Sequence, residues 1–567
     1  MANSYYTPGV YVEEIPKFPP SVAGVATAIP AFIGYTEITP DEDGIVPRRI
    51  TSLLEYEALF GKGPKLFVKD NIEGDDEDGD KDVDKDVDDD ADKDIDDDAG
   101  KDIDDDADKD GDIFCEVEEE SVIENIDYVL YDSIRLFYDN GGGVCYIASV
   151  GQYGEELKID SFKDGIAALE KVDEVTLVLF PDAVNIKDDP SESGVSLGTV
   201  QTAALKHCQK MGDRFAILDV KKEEGKSIRE NIEVFRDKIS GDALELRYGA
   251  AYYPYLSTVY KKSWTFKDVY NYLNGFENAL SLMEGKVKKS LEAILSDINL
   301  DTWLTAGNNT EINGVSLTEK EEASCKDDDA KNELLAKKKK TKKDELIAAN
   351  NLRINSIIPF IPGYSEAVKE LNAKATTIPP SGAIAGIYSA TDQYQGVWKA
   401  PANVSIASLS GVSDFITNQD QENMNVDSNA GKSINAIRAF SGKGILIWGA
   451  RTLDGNSNEW RYIPVRRLFN YIEESVQKST SWAVFSPNDG NTWIKIKSQI
   501  ENFLYNLWRA GALAGATPND AYFVKVGLNL TMTSEDIQEG LLIVEVGLAA
   551  VRPAEFIVLR FSHKVQE

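Results

Sequence analysis

Between residues 73 and 120 the chain carries 28 Asp and Glu residues against five Lys, a net charge of −23 in one uninterrupted run. Within it, Asp84–Ala91, Asp92–Ala99 and Gly100–Ala107 are three octads: Asp or Gly, then Lys-Asp, then Val or Ile, then Asp-Asp-Asp-Ala. A remnant, Asp108-Lys109-Asp110, comes after them. One branched apolar residue and one Ala per octad cannot offset the entropy of ordering the chain, and the acids repel one another. The run is therefore expected to be a solvated surface loop, and any core must be built from its flanks. The other 519 residues carry only −14 of the total −37, and 42% of the chain is apolar, enough for sizeable cores in two to four domains.

The last octad ends in a partial calcium-loop pattern. Asp106, Asp108, Asp110, Gly111, Asp112 and Ile113 fit positions 1, 3, 5, 6, 7 and 8 of an EF-hand loop. Position 12 needs a bidentate Glu and holds Val117, with Glu116 and Glu118 out of register. Such a set offers at best weak calcium binding, and the solvated anionic loop is the preferred reading. A second charged segment, Lys326 to Lys343, mixes Lys337–Lys340 with Asp327–Asp329 and Asp344-Glu345, which reads as a solvated outer helix or loop.

Several function classes drop out. Nucleic-acid binding needs a clustered basic surface, and the charge balance runs the other way. Cys115, Cys145, Cys208 and Cys325 stand far apart with no C-x-x-C pair, which points to neither a disulfide framework nor a zinc site. Val175–Phe180 and Leu541–Val551 are too short to span a bilayer, and Met1–Val10 has no signal-like apolar region, so folding in a cytosol is expected. Of two histidines, His207 lies among Ala203, Ala204, Cys208 and Met211 at helical spacing and reads as a packing residue; His563 is four residues from the end. Gly431-Lys432-Ser433 lacks the upstream glycine of a phosphate loop, since residue 426 is Val, and Gly442-Lys443-Gly444 lacks the third glycine of a dinucleotide fingerprint. No catalytic residue and no cofactor is expected.

Helix-like stretches (Val122–Asp139, Ser161–Glu170, Gly198–Met211, Ser227–Ile239, Phe266–Glu284) alternate with apolar runs at Val144–Ser149, Val175–Phe180, Phe215–Val220 and Gly249–Tyr252. That alternation predicts an α/β central domain over 121–371, with a buried, largely parallel sheet and a charged insertion at 311–345. From 372 to 545 an aromatic-rich α+β C-terminal domain is expected, with helices at Val465–Gln477 and Trp493–Gly511 and strands at Gly444–Trp448 and Tyr522–Val526. The ends, 1–20 and 546–567, read as extended β-strand arms: Val10, Tyr11 and Val12 at one, and Phe556, Val558 and Leu559 at the other. They either pair within one core or add to another subunit's sheet edge.

Thr7–Ile15 together with Thr27–Gly34 resembles the start of contractile tail sheath proteins, the outer sleeves of myophage tails, R-type pyocins and extracellular contractile injection systems. The resemblance returns at Asn140–Ile147 and is densest at Pro379–Gly386, Gly396–Asn403, Trp448–Leu453, Trp460–Leu468, Trp482–Phe485 and Arg552–Phe556. It lapses over 66–120 and around Glu311–Lys343, which read as insertions, while 21–65 reads as the start of the sheath body. At Val526-Gly527 the chain departs from the usual Cys-Asp. The resemblance implies a non-enzymatic subunit stacked in six-membered rings around an inner tube, with baseplate and terminator proteins, and with paralogous sheath chains, as partners. It implies assembly in the producing cell's cytoplasm and then residence in a released or anchored particle, without membrane insertion. The terminal arms would link subunits, and Arg466 and Arg467 would form ion pairs across subunits or within one domain. The helix carrying Lys495, Lys497 and Glu501 would face the tube. The opening and tail sit nearest injection-system sheaths; a phage or pyocin sheath is the alternative. A subtilisin-like hydrolase and a calcium-dependent surface binder are the distant ones.

Overall fold

The computed structural model describes residues 22–40, 44–68, 123–187, 196–273, 288–289, 331–341, 355, 358–427 and 431–558. They fall into two compact units, one drawing on Met1–Lys65, Asn125–Lys261 and Ala373–Glu567, the other on Leu66–Glu124 and Lys262–Asn372.

In chain order the strands are β1 (Pro30–Thr36), β2 (Arg48–Ile50), β3 (Phe67–Val68), β4 (Ile123–Glu124) and β5 (Cys145–Gln152). Next come β6 (Leu177–Leu179), β7 (Phe215–Asp219), β8 (Gly249–Tyr253), β9 (Leu256–Thr258) and β10 (Thr377–Ile378). The last are β11 (Leu409–Val412), β12 (Ile434–Phe440), β13 (Gly444–Trp448), β14 (Tyr522–Lys525) and β15 (Glu545–Leu548). The principal helices are α1 (Leu53–Phe60), α2 (Leu130–Asp139), α3 (Ile159–Ala168), α4 (Leu197–Met211), α5 (Ile228–Lys238), α6 (Ala243–Leu246) and α7 (Phe266–Tyr272). They continue with α8 (Tyr364–Thr376), α9 (Ser381–Gln395), α10 (Asn418–Asn425), α11 (Ile463–Thr480) and α12 (Gly490–Arg509).

The first unit is built on an eight-stranded sheet of order β13-β12-β8-β7-β6-β1-β5-β2. Its six inner strands run parallel, and the two edges, β13 and β2, are antiparallel. A sheet covered on both faces asks for continuous apolar strands, and β1, with the sequence PAFIGYT, is buried at every position. Successive residues still serve opposite faces. Ala31, Ile33 and Tyr35 join Phe162 of α3 and Val200, Ala204 and Leu205 of α4 in one core. Phe32 joins Phe137 of α2 and Ile384 and Tyr388 of α9 in the other.

Helix α9 lies on α2 at backbone contact. A Cβ at Gly382 would stand 2.3 Å from the Ser133 carbonyl oxygen, and one at Gly386 would stand 2.5 Å from that of Phe137. Two glycines four residues apart clear one face of the helix, which gives the Pro379–Gly386 block its physical reason.

Two buried carboxylates fix helix starts against the sheet. Asp182 accepts the backbone N–H groups of Tyr35, Val129 and Leu130 at 2.8, 2.7 and 2.7 Å. Asp219, at the end of β7, accepts the Ser381 N–H of α9 at 2.8 Å. Burial pushes both carboxyls up to about 7.

The boundary expected near 372 does not divide the sheet. β12 and β13, from the stretch assigned to a separate C-terminal domain, continue it, with Ile434 opposite Ala251 of β8. The reason is the burial of Ile434, Ala436 and Ile437 on β12, which needs a sheet already present to pack on. The sequence pattern also leaves β1 unmarked, although it is the strand between β5 and β6.

The segment after β13 does form its own core. α11 and α12 pack through Leu468, Ile472, Ile500, Phe503 and Leu504, beneath the two-stranded pair β14–β15. α12 begins at 490 rather than 493 because Asp489 caps it, accepting the Thr492 N–H at 2.9 Å. β15, Glu545–Leu548, closes this layer and overlaps the start of the stretch read as a C-terminal arm. Residues 549–558, part of the 546–567 stretch expected to be an extended β-strand arm, lie in neither helix nor regular strand.

In the second unit the acidic run leaves and returns side by side. β3 pairs antiparallel with β4, Phe67 opposite Glu124 and Val68 opposite Ile123. Helix α7 locks this junction: Asp268 accepts the Val68 N–H at 3.1 Å and Asn271 donates to the Val68 carbonyl at 2.8 Å. Residues 331–341 of the Lys-rich segment are helical. The octads themselves, with the calcium candidates Asp106, Asp108, Asp110 and Asp112, lie outside the described residues.

Candidate functional site: two chain segments held at helix α11

The Trp460–Leu468 block leads into α11. Pro464 starts it without needing its missing N–H, in the first turn. Arg467, Tyr471, Ser475 and Ser479 then recur every four residues and form one stripe. The incoming chain lies along that stripe. Ala23 N–H donates to Ser479 Oγ and Val25 N–H to Ser475 Oγ, both at 3.2 Å. Gly24 passes so close that a Cβ there would meet the Tyr471 hydroxyl at 2.2 Å. Arg467 Nη2 donates to the Thr27 carbonyl at 2.8 Å. The chain thus runs from the C-terminal end of α11 toward its N-terminal end and turns directly into β1.

Arg467 is held from its other side by Asp392 of α9, a forked pair with Nη1–Oδ1 at 3.0 Å and Nη2–Oδ2 at 2.5 Å. Both side chains are buried, 3% and 5% exposed, and the guanidinium lies 4.6 Å from the Tyr388 ring centroid. Arg466, pointing elsewhere, donates to Asn470 Oδ1 at 2.7 Å and pairs with Glu473 at 3.0 Å, its guanidinium 4.4 Å from the Trp460 ring. Within the chain both guanidiniums are buried and paired internally.

The outgoing chain is held at the opposite end of the same helix. Glu555 receives Arg451 Nε at 3.0 Å and Nη2 at 2.7 Å, Asn425 Nδ2 at 2.7 Å and the Tyr462 hydroxyl at 3.1 Å. Tyr462 is the N-cap residue of α11, Asn425 ends α10, and Arg451 lies just past β13. Arg451 is itself tied into the sheet, its N–H donating to Asn435 Oδ1 of β12 at 2.8 Å. Burial alone would raise the Glu555 carboxyl, but Arg451, Asn425 and Tyr462 together hold it below its ordinary range. One residue later the chain emerges: Phe556 and Val558 are 72% and 76% exposed. Residues 556–558 are thus not buried in the core of the described chain. Val10, Tyr11, Val12 and Leu559 lie outside the described residues.

Sequence reasoning misses the Glu555 clasp and the stripe on α11. In sequence Glu555 is only one letter of an Arg-Pro-Ala-Glu-Phe block, and its partners lie 93 to 130 residues upstream. The stripe is readable in principle, since its spacing is local.

On α12, Lys495 is exposed, and Lys497 and Glu501 form a half-exposed pair at 3.7 Å. His207 is buried on α4 with Arg214 Nη1 2.8 Å from its Nε2. Burial, then Arg214, lowers its pKa to about 4, so it stays neutral. Cys145 and Cys208 are free and buried. Among the described residues no cluster of three His, Cys, Asp or Glu side chains is arranged to hold a metal, and no helix is long and apolar enough to cross a membrane.

Residues 456–564, which contain α11, α12, Tyr462 and Glu555 but not Arg451 or Asn425, match the family described as phage tail sheath C-terminal domain. The tail sheath protein of Vibrio phage KVP40 is 27% identical over 165 residues, 29% of this chain. That of Enterobacteria phage T4 is 24% identical over 156 residues, 27% of this chain. The matched stretch spans about a quarter of these relatives' own length, 24% and 23%. Among solved structures, the helical sheath of the anti-feeding prophage in its contracted state is 25% identical, covers 99% of this chain and 100% of its own, and superposes with a TM-score of 0.52. The PVC sheath complex of an extracellular contractile injection system, also contracted, shares the fold at 24% identity and a TM-score of 0.54, covering 100% of this chain and 99% of its own.

Proposed function

We propose that this chain, which carries a tail sheath C-terminal domain on a contractile sheath fold, is the structural subunit of a sleeve around an inner tube. Its contraction drives that tube through a target cell envelope. The observation that carries the reading is end-to-end likeness to the contracted sheaths of the anti-feeding prophage and of an extracellular contractile injection system, joined to three exposed apolar residues, 556–558, at the end of the described chain. The same likeness favours an extracellular injection system over a phage tail or a pyocin.

The geometry suggests how such a sleeve holds together. β14 and β15 pair with each other, and a two-stranded sheet is marginal alone. Phe556, Val558 and Leu559, and Val10, Tyr11 and Val12, have β-favouring side chains suited to extending such a sheet in neighbouring copies. Each main-chain hydrogen bond so gained contributes about 1 kcal/mol net, weak singly but repeated at every subunit. Contacts between different faces that do not close generate open helices rather than rings alone. Linkers that pivot let the bodies rotate while connectivity survives, so contraction needs no nucleotide at the sheath; the energy is stored at assembly. The exposed face of α12, with Lys495, Lys497 and Glu501, is the proposed tube-facing surface. Baseplate and terminator proteins, and paralogous sheath chains, complete the proposed partners; the role is structural rather than enzymatic.

Negative-stain electron microscopy tests this, first on the chain alone and then with tube and baseplate proteins added. Long striated hollow tubes are the expected result. Monomers persisting with both partners present would sink the proposal.

A further inference from the structure

We infer that α11 is the common anchorage of both intersubunit linkers, a strut through which displacement of one linker by a neighbouring copy reaches the other. This rests on the sheath reading for the linkers' partners, but the anchorage itself stands on the geometry of one chain. The incoming linker is bound along the Ser479-to-Arg467 stripe and the outgoing one at Tyr462, the residue that caps the same helix. From 462 to 479 a helix spans roughly 26 Å. Its two attachments therefore sit at opposite ends of a stiff rod, and a pull on both linkers is taken by that rod.

Two features distinguish this from incidental packing. The stripe uses side-chain hydroxyls to receive backbone N–H groups of an irregular segment, where α11 otherwise buries apolar residues on α12. Glu555, for its part, gathers donors from three separate elements immediately before three exposed apolar residues. A carboxylate with four donors is strongly positioned, whereas the residues it precedes are left to an outside partner. The clasp accordingly fixes where the linker leaves the body, and its direction toward the next copy.

Two variants of the full chain separate the ends: Glu555→Gln for the outgoing root, and Ser475→Ala with Ser479→Ala for the incoming one. Hydrogen exchange read by mass spectrometry on the unassembled subunit reports each root, and pelleting with electron microscopy, tube and baseplate supplied, reports assembly. In Glu555→Gln, exchange over 550–558 should rise by about tenfold or more, as loss of a charge-assisted contact implies. In the double Ser variant the rise should fall on 22–28. The melting temperature should hold within about 3 °C in both, since each change is local. Ordered tubes should drop severalfold in both. Unchanged exchange at its own root in either variant overturns the anchorage; raised exchange with wild-type tubes overturns its role as a strut. If the unmodified chain forms no tubes with its partners, the sheath reading fails instead, and exchange alone decides whether the anchorage exists.

Discussion

The eight-stranded sheet and the layer built on α11 and α12 are finished to different degrees. In the sheet, strands β1, β6, β7 and β8 are buried throughout, and large exposed apolar residues are confined to the edge, as at Trp448. In the later layer Val484, Phe485, Ile494, Phe523, Leu530 and Leu541 are all exposed, before Phe556 and Val558 are counted. Scattered apolar residues on a surface need no explanation, but this many in one small layer beside an open two-stranded sheet do. The first region satisfies itself. The second packs where it touches the first and exposes apolar side chains where it faces out, as the proposed function would require of a surface that meets neighbouring copies.

The sharpest way to break the comparison is to damage the self-sufficient side. Gly382→Val puts a branched side chain against the backbone of α2, with the Ser133 carbonyl oxygen only 2.3 Å from the new Cβ. A backbone cannot yield as a flexible side chain does, so a loss of about 3 kcal/mol or more is expected, read as a fall in the denaturation midpoint. Retained stability would show that α9 and α2 are not truly in contact.

Next in size is a pH effect seated in the same region. Asp219 is wholly buried and its carboxyl is pushed up to about 7. An acid whose folded pKa lies above its unfolded one is fully compatible with folding at low pH. Stability should therefore fall as pH rises from about 4 and level off above about 7, by an amount on the order of a few kcal/mol. Asp219→Asn keeps an acceptor for the Ser381 N–H and should flatten that slope in chemical denaturation measured across pH. An unaltered slope would assign it to other groups, Asp182 first.

Legibility in the sequence divides the molecule along the same line. Parallel strands at 145, 177, 215 and 249 announce themselves as apolar runs between helical periods, because burial on both faces leaves a local imprint. β1 hides within a family-like opening, although PAFIGYT is as apolar as its neighbours; its place between β5 and β6 depends on partners more than 100 residues away. That the sheet continues past 372 is hidden for a related reason, since β12 joins a sheet begun at residue 30. For the α11–α12 layer, the resemblance implies arms at the two ends of the chain. The Glu555 clasp is not legible, because Glu555 and its donors meet only in three dimensions.

On the unfinished side, Phe556→Asp with Val558→Asp should leave the isolated subunit within about 0.5 kcal/mol of the parent, as exposed substitutions usually do. The same change should abolish tubes under the proposed function, because it places charge where a neighbour's sheet must close. Stability lost in step with assembly would mean that these residues serve their own chain, and the contrast between the two regions would dissolve.

The smallest effect is expected from the largest change. Deleting 75–112 removes 23 acids and five lysines, yet the run's ends are already held together by β3, β4 and α7. Closure entropy changes by only about 0.6 kcal/mol for each doubling of loop length, so a shorter connection costs nothing and relieves repulsion. Tubes from the deletant should match the parent in yield and diameter by electron microscopy. If they were lost, charge rather than apolar surface would govern how subunits meet, and the incomplete region would have to be sought in the acidic run instead of the α11–α12 layer.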